Sequence, residues 1–183
     1  MGYTIEEFTY KISVDEYLIR FHKPNEVWEY CRVCNNYGKQ WGCPPFDFDV
    51  VEHLSQYSKL LLIATKITPT AMELLYQESE QFIRAEQIRL ERRLLDLERQ
   101  YNGLASTYIG SCLHCCEDNC TRPLGKVCRH PECVRPSLEA YGFDITKTLS
   151  ELFDIELKWG IEGSSPEYIV LVCGLFYNVE WIY

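Results

Sequence analysis

The sequence has no long hydrophobic run. Leu60 to Ala64 is fully apolar, but neither it nor any other stretch approaches the roughly 20 residues of a membrane-spanning helix. The opening residues, MGYTIEEFTY, lack both the basic stretch and the apolar centre of a secretion signal. Glu6 stands where a myristoylated N-terminus carries Ser or Thr. The expected location is the cytoplasm, where thiols are kept reduced. Basic residues are also scarce: 18 Lys and Arg face 27 Asp and Glu, a formal charge of −9. Nucleic acid and anionic membrane are therefore not expected partners, whereas a protein partner is. Three catalytic signatures are missing as well: a phosphate-cradling glycine loop, a GxSxG elbow and an HExxH helix. No residue stands out as catalytic, and the sequence leaves open whether the protein is an enzyme.

Cysteine, by contrast, is abundant, with ten in 183 residues. The chain is 46% apolar and 14% aromatic, enough to build a core without crosslinks. In a reducing compartment such cysteines are better explained as ligands or redox groups than as disulfides.

Nine of them fall in two segments. The first, CRVCNNYGKQWGCPPF (residues 31–46), has the pattern Cys31-x2-Cys34-x8-Cys43-Pro. Two residues between cysteines let both sulfurs face one ion, and nearby glycine permits close backbone approach. Three thiolates leave a tetrahedral site one ligand short. Thiol–disulfide exchange through Cys31 and Cys34 is disfavoured, because Asn35, Asn36 and Gly38 argue against the helix that normally follows a redox CxxC. The second segment, GSCLHCCEDNCTRPLGKVCRHPEC (residues 110–133), can supply four thiolates by itself, for example Cys112, Cys115, Cys120 and Cys128. Successive side chains diverge, so one of Cys115 and Cys116 is surplus, and the x2 spacing from Cys112 favours Cys115. Cys133 is a candidate fourth ligand for the first segment if the loops meet. One shared site or two sites are both compatible with these counts. Cysteine-only ligands, irregular spacings and a Cys-Pro-Pro loop weigh toward [4Fe-4S] clusters, with zinc as the alternative.

Other residues have competing explanations. His114 lies between Cys112 and Cys115, an offset that turns it away from their ion. Arg129, His130, Arg135 and Glu139 either hydrogen-bond around a cluster or serve as caps and surface pairs. Tyr37 and Trp41 are best taken as loop packing. Cys173 sits in an apolar stretch and reads as a buried, inert thiol.

Along the chain, residues 5–21 alternate β-branched and aromatic residues and predict one or two strands, with a turn at 23–26 and a loop through the first cysteine segment. A short helix capped by Asp47 is expected over 47–54, and a buried strand over 59–67. A long helix then starts at 68–70, with Ile83, Leu90, Leu94, Leu97 and Tyr101 on one stripe and a charged, solvated opposite face. A strand over 104–110 leads into the second cysteine segment. Arg135-Pro136-Ser137 opens a short helix closed by Gly142, Asp144 caps another, and IELKW pairs with EYIVLVCGLFYNVEW through a GSSP turn.

The segments CRVCNNYGKQWGCPPF and CRHPECVRPSLEAYGFDITKT resemble those of a prokaryotic family of predicted metal-binding proteins. Its members carry C-R-x-C-x-x-Y-G-x-x-x-x-C-P-P, then G-x-C-x-x-C, then C-R-x-P-x-x-x-R-P-S-x-E-A-x-G. The resemblance spans most of the chain and implies metal binding, with Cys31, Cys34, Cys43, Cys112, Cys115, Cys120 and Cys128 as ligands. It departs from the family where the doublet Cys115-Cys116 and a wider gap to Cys120 replace a compact C-x2-C-x2-C. Cys133 and Cys173 match no family cysteine.

The expectation is one metal-binding domain over residues 1–183, an α/β sandwich of a mixed sheet and helices with the cysteine loops at one sheet edge. It would bind one or two [4Fe-4S] clusters for electron transfer to, or redox support of, a partner enzyme. A structural zinc-binding interaction module is the alternative, as is a metal-dependent enzyme with an open coordination position.

Overall fold

The computed structural model describes residues 2–70, 76–107, 110, 112–115, 120–158 and 166–179. A four-stranded sheet is built from β1 (Tyr3–Ser13), β2 (Lys59–Pro69), β3 (Leu104–Ser106) and β4 (Ile169–Tyr177), in the order β1-β2-β4-β3. Around it lie α1 (Val14–Phe21), α2 (Pro24–Val33), α3 (Val50–Leu54), α4 (Tyr76–Tyr101) and α5 (Ile145–Phe153). The α/β class is as expected, but every neighbouring pair is antiparallel rather than mixed. The strand–helix–strand unit β2-α4-β3 does return β3 in the direction of β2. The closing strand β4 inserts between them, so no parallel pair remains.

The strand period of two sorts β2 into two cores. Leu60, Leu62 and Ala64 face α1, α3 and α5, together with Val172 and Phe176 of β4. Leu61, Ile63 and Ile67 face α4, together with Leu171, Cys173 and Leu175. Leu90 and Leu94 of α4 are fully buried against this second face, with Ile83, Leu97 and Tyr101 partly buried beside them, which is the expected stripe. The expected start of that helix at 68–70 is corrected: Thr68 and Pro69 are the last residues of β2, held there by pairing with Thr4 and Tyr3 of β1, and the described helix begins at Tyr76. Its charged face does more than meet solvent: Arg89 and Arg93 reach across to Glu7 on β1, and Arg89 also pairs with Glu86.

Several local expectations change. Residues 14–21 form α1 rather than strand. Val14, Tyr17 and Phe21 recur at helical spacing and are all buried, and the Ser13 side chain accepts from Glu16 N–H at 3.2 Å as a cap. The 23–26 turn is the first turn of α2, with Pro24 at its start, and the helix runs through Cys31 into the first cysteine segment. Asp49, not Asp47, caps α3, whereas Asp144 caps α5 as expected. Residues 137–142 are a turn rather than a helix, and described residues 154–158 are not strand.

That turn positions the site. Leu138 is fully buried over β4, where a Cβ at position 174 would meet it at an ordinary 3.7 Å; the close approach that favours glycine there, 3.0 Å, is to Leu60 of β2. Gly142 closes the turn at φ +91°, and its carbonyl accepts from Lys23 N–H at 2.8 Å, which seats α2. Trp28 of α2 donates to the Ala140 carbonyl at 3.0 Å.

Candidate metal centre

Cys31 occupies the last turn of α2 and Cys34 caps its C-terminus, with Cys34 N–H donating to the Cys31 carbonyl at 3.0 Å. Helix geometry therefore holds the first CxxC, and Pro24 at one end with Asn35-Asn36 at the other sets where that helix stops. The chain then folds through tight turns: Tyr37 N–H to the Cys34 carbonyl at 3.2 Å, Gly38 N–H to the Pro44 carbonyl at 2.9 Å, and Cys43 N–H to the Gln40 carbonyl at 3.1 Å. Cys34 is exposed, Cys31 half-buried and Cys43 buried.

The second segment is bound directly to the first. Buried Gln40 accepts from Cys112 N–H at 2.9 Å and donates to Asn36 at 2.9 Å, while Asn36 donates to the Gly110 carbonyl at 3.1 Å. Arg122 sends its guanidinium back to three carbonyls of the first loop: Gln40 at 2.6 Å, Cys43 and Pro45. It also lies over the Trp41 ring, 5.5 Å from its centre, and Trp41 donates to Thr121 at 3.3 Å. Trp41 packs, as expected, but it packs one cysteine loop onto the other. None of these clamp residues was legible as such: Gln40 and Arg122 are 82 positions apart.

Amides point at sulfur in the second loop. Burial raises the Cys112 thiol pKa, hydrogen bonds from the backbone of His114 and Cys115 lower it, and the Cys115 and Cys128 thiols raise it again. Cys112, Cys115 and Cys128 thus share one electrostatic neighbourhood. His130 N–H donates to Cys128 Sγ at 3.4 Å. Such N–H···S bonds stabilise a thiolate and orient it for a metal. Cys120 is half-buried beside Thr121, and Cys116 lies outside the described residues. In the first loop, burial raises the Cys31 thiol pKa, with smaller contributions from Cys34 and Glu139. Among the described residues no three His, Cys, Asp or Glu side chains already converge on one coordination sphere. The structure brings the two loops together through Gln40 and Arg122 without itself assembling a coordination sphere. Donor chemistry fits: thiolates with backbone amides aimed at them suit soft or borderline metals.

The surrounding polar residues resolve differently from expectation. Arg135 does not pair with Glu139. It grips Glu98 of α4 with two hydrogen bonds, 2.9 and 2.7 Å, and donates to the Pro131 and Val134 carbonyls. Glu139 is half-buried, and its Oε2 reaches neither solvent nor a hydrogen-bond partner. Burial raises its pKa, partly offset by its own N–H and the Ser137 hydroxyl. Cys173 is fully buried, and burial holds its thiol protonated, in keeping with an inert role. Cys133 lies where burial, Glu132 and Glu91 raise its pKa, whereas Cys31 responds to Cys34 and Glu139.

Glu139 carries a pH prediction for the metal-free chain. A carboxyl whose folded pKa lies above its unfolded value of 4.5 contributes its stability below that value, and loses it as pH rises through the folded pKa. Glu139→Gln is therefore expected to stabilise the metal-free protein at pH 7 by on the order of 1 kcal/mol. The gain should vanish as pH approaches 4.5. Thermal melts of both proteins at the two pH values check this, and a gain independent of pH would exclude a buried charge as its cause.

A cavity of about 660 Å³ opens beside the clamp, lined by Trp41, Phe46, Phe48, His53, Arg122 and Tyr141. No helix among the described residues is long and apolar enough to cross a membrane.

An antiparallel α/β scaffold ties two cysteine-rich loops together, with backbone N–H groups directed at the sulfurs of Cys112 and Cys128. The chain belongs to the family described as predicted metal-binding protein (DUF2284), whose model matches residues 17–173 and so includes both loops. No curated protein and no solved structure matches it.

Proposed function

We propose that the two loops hold thiolate-ligated [4Fe-4S] chemistry, and that the protein transfers electrons to, or otherwise provides redox support for, a partner enzyme. The observation that carries this is the set of amide hydrogen bonds to Cys112 and Cys128 within loops tied together by Gln40 and Arg122. Amide–sulfur bonds and partial burial are the protein's means of setting a cluster potential. Cys112, Cys115, Cys120 and Cys128 make one ligand set. Cys31, Cys34 and Cys43 make a three-thiolate set close beside it. Cys34, the exposed member, puts this second set near the surface, where an electron partner can approach. The acidic overall charge suits a basic partner surface.

A second reading, a metal-dependent enzyme, is favoured by one observation: the cavity beside Trp41 and Arg122 adjoins the loop whose three thiolates leave a coordination position open. Zinc in a structural role is the remaining alternative.

Anaerobic purification with iron, sulfide and zinc quantified, and visible spectra before and after dithionite, decides among them. Absorption near ~400 nm that bleaches, with iron and sulfide in equal amounts, is the expected result for clusters of this class. Stoichiometric zinc in a colourless protein without sulfide would overturn the electron-transfer reading.

A further inference from the structure

Two carboxylate–imidazole pairs stand beside the thiolates of the second cysteine loop and face one another. His114 Nε2 is held by Glu91 of α4, and His130 Nδ1 lies 3.7 Å from Glu132 Oε1. The two imidazole rings are 5.6 Å apart, centre to centre. The same Glu132 oxygen lies 3.8 Å from Cys133 Sγ. Four metal-ligating side chains and a bracing carboxylate are thus gathered between the second cysteine loop and α4.

We propose that His114, His130, Cys133 and Glu132 form a second metal site, adjoining the cysteine-loop centre but using none of its seven cysteines, for a borderline divalent cation of the zinc class, with Glu91 positioning His114. The arrangement fits the chemistry on three counts. With zinc–nitrogen bonds of about 2 Å, two imidazoles sharing one tetrahedral ion have ring centres roughly 5 Å apart, close to the separation seen. Glu91 takes one ring nitrogen of His114 and leaves the other for metal, the outer carboxylate that metal-bound histidines characteristically carry. The donors are of mixed nitrogen, sulfur and oxygen type, which suits zinc rather than calcium or magnesium.

A simple ion pair tying the loop to α4 would need only Glu91 and His114. It gives no reason for a second histidine at coordination spacing, with a second carboxylate 3.7 Å from that histidine and a thiol 3.8 Å from the same carboxylate oxygen. The side chains do not yet share one coordination sphere. His130, Glu132 and Cys133 lie in one turn, fixed by Cys133 N–H and Val134 N–H donating to the His130 carbonyl at 3.1 Å each. What remains is side-chain rotation about a set backbone. His130 and Glu132 are 39% and 65% exposed, so an ion has a direct way in.

The site shares no donor with the seven loop cysteines, and the test separates the two. Cobalt(II) is the probe, added anaerobically to the full chain, with uptake read from visible absorption and from metal analysis after desalting. Cys112→Ser/Cys128→Ser protein is expected to retain one equivalent showing sulfur-to-cobalt charge transfer. Adding His114→Gln/His130→Gln should abolish that equivalent. In the wild-type background the same histidine pair should lower total uptake by one equivalent, which keeps the test intact if the cysteine variant does not fold. Glu91→Gln should weaken the histidine-dependent affinity roughly 10-fold. Unchanged uptake in the histidine variant, an ion pair only, overturns the site. So does loss of all binding in a folded cysteine variant, which would make a single mixed centre.

Discussion

Arg122→Ala is expected to release metal from a chain that otherwise keeps its fold. The Arg122 side chain is the main strut between the cysteine loops, and its guanidinium serves the carbonyls of Gln40, Cys43 and Pro45 at once. Neither hydrophobic core contains it, and the sheet makes no use of it. Without it, the first loop is tied to the second by Gln40, Asn36 and the Trp41–Thr121 hydrogen bond. Loss of an outer support of this kind typically costs 10–100-fold in metal affinity, so metal retained after desalting should fall by at least about 10-fold. Arg122→Lys should rescue little, because an ammonium cannot present a planar fork to carbonyls spread over six residues. Metal analysis and far-UV circular dichroism on the same samples check the prediction. Full retention in folded Arg122→Ala protein would show that the loops hold their ion unaided.

The largest stability effect is expected at the Arg135–Glu98 pair. Both side chains are mostly enclosed, at 18% and 14% exposure, and are joined by two hydrogen bonds. Glu98 also accepts from Ala105 N–H at 2.7 Å, so one carboxylate anchors α4, β3 and the end of the second cysteine loop. Removing one member of a buried pair leaves a charge without compensation and costs roughly 3–5 kcal/mol. Arg135→Ala should therefore lower the melting temperature by on the order of 10 °C. Glu98→Ala should be similarly costly. The double variant should be less destabilised than the two single effects added, because no lone charge then remains. Thermal or urea unfolding of the four proteins gives the answer, and strictly additive losses would mean that the pair does not act as a unit.

How much of this was legible beforehand follows from the range of the interactions involved. The Leu60–Ala64 run, the Leu90–Leu94 stripe and the Asp144 cap are local patterns, and each matched the structure. Both cysteine segments were visible as candidate ligand loops from spacing alone. Residues 14–21 were misread because aromatic and β-branched side chains favour strands. Their helical spacing is decided by burial of Val14, Tyr17 and Phe21 against α5, where Tyr17 also shares a 2.9 Å hydrogen bond with Thr148.

The sequence by itself determined that this chain gathers cysteine into two turn-rich segments without the core-poor composition that would make them crosslinks. It also determined which stretches alternate and which recur at helical spacing. Those properties depend on residues a few positions apart. Only the tertiary structure decided that β4 enters between β2 and β3, that Glu139 turns inward while Arg135 turns to Glu98, and that Gln40 and Arg122 hold the loops together. It also decided that two histidines meet against α4. Apart from the inward turn of Glu139, which leaves one carboxylate oxygen without a partner, these join residues well separated along the chain, and the choice of partner is made by burial and by the pairing of enclosed polar groups, which no local spacing encodes.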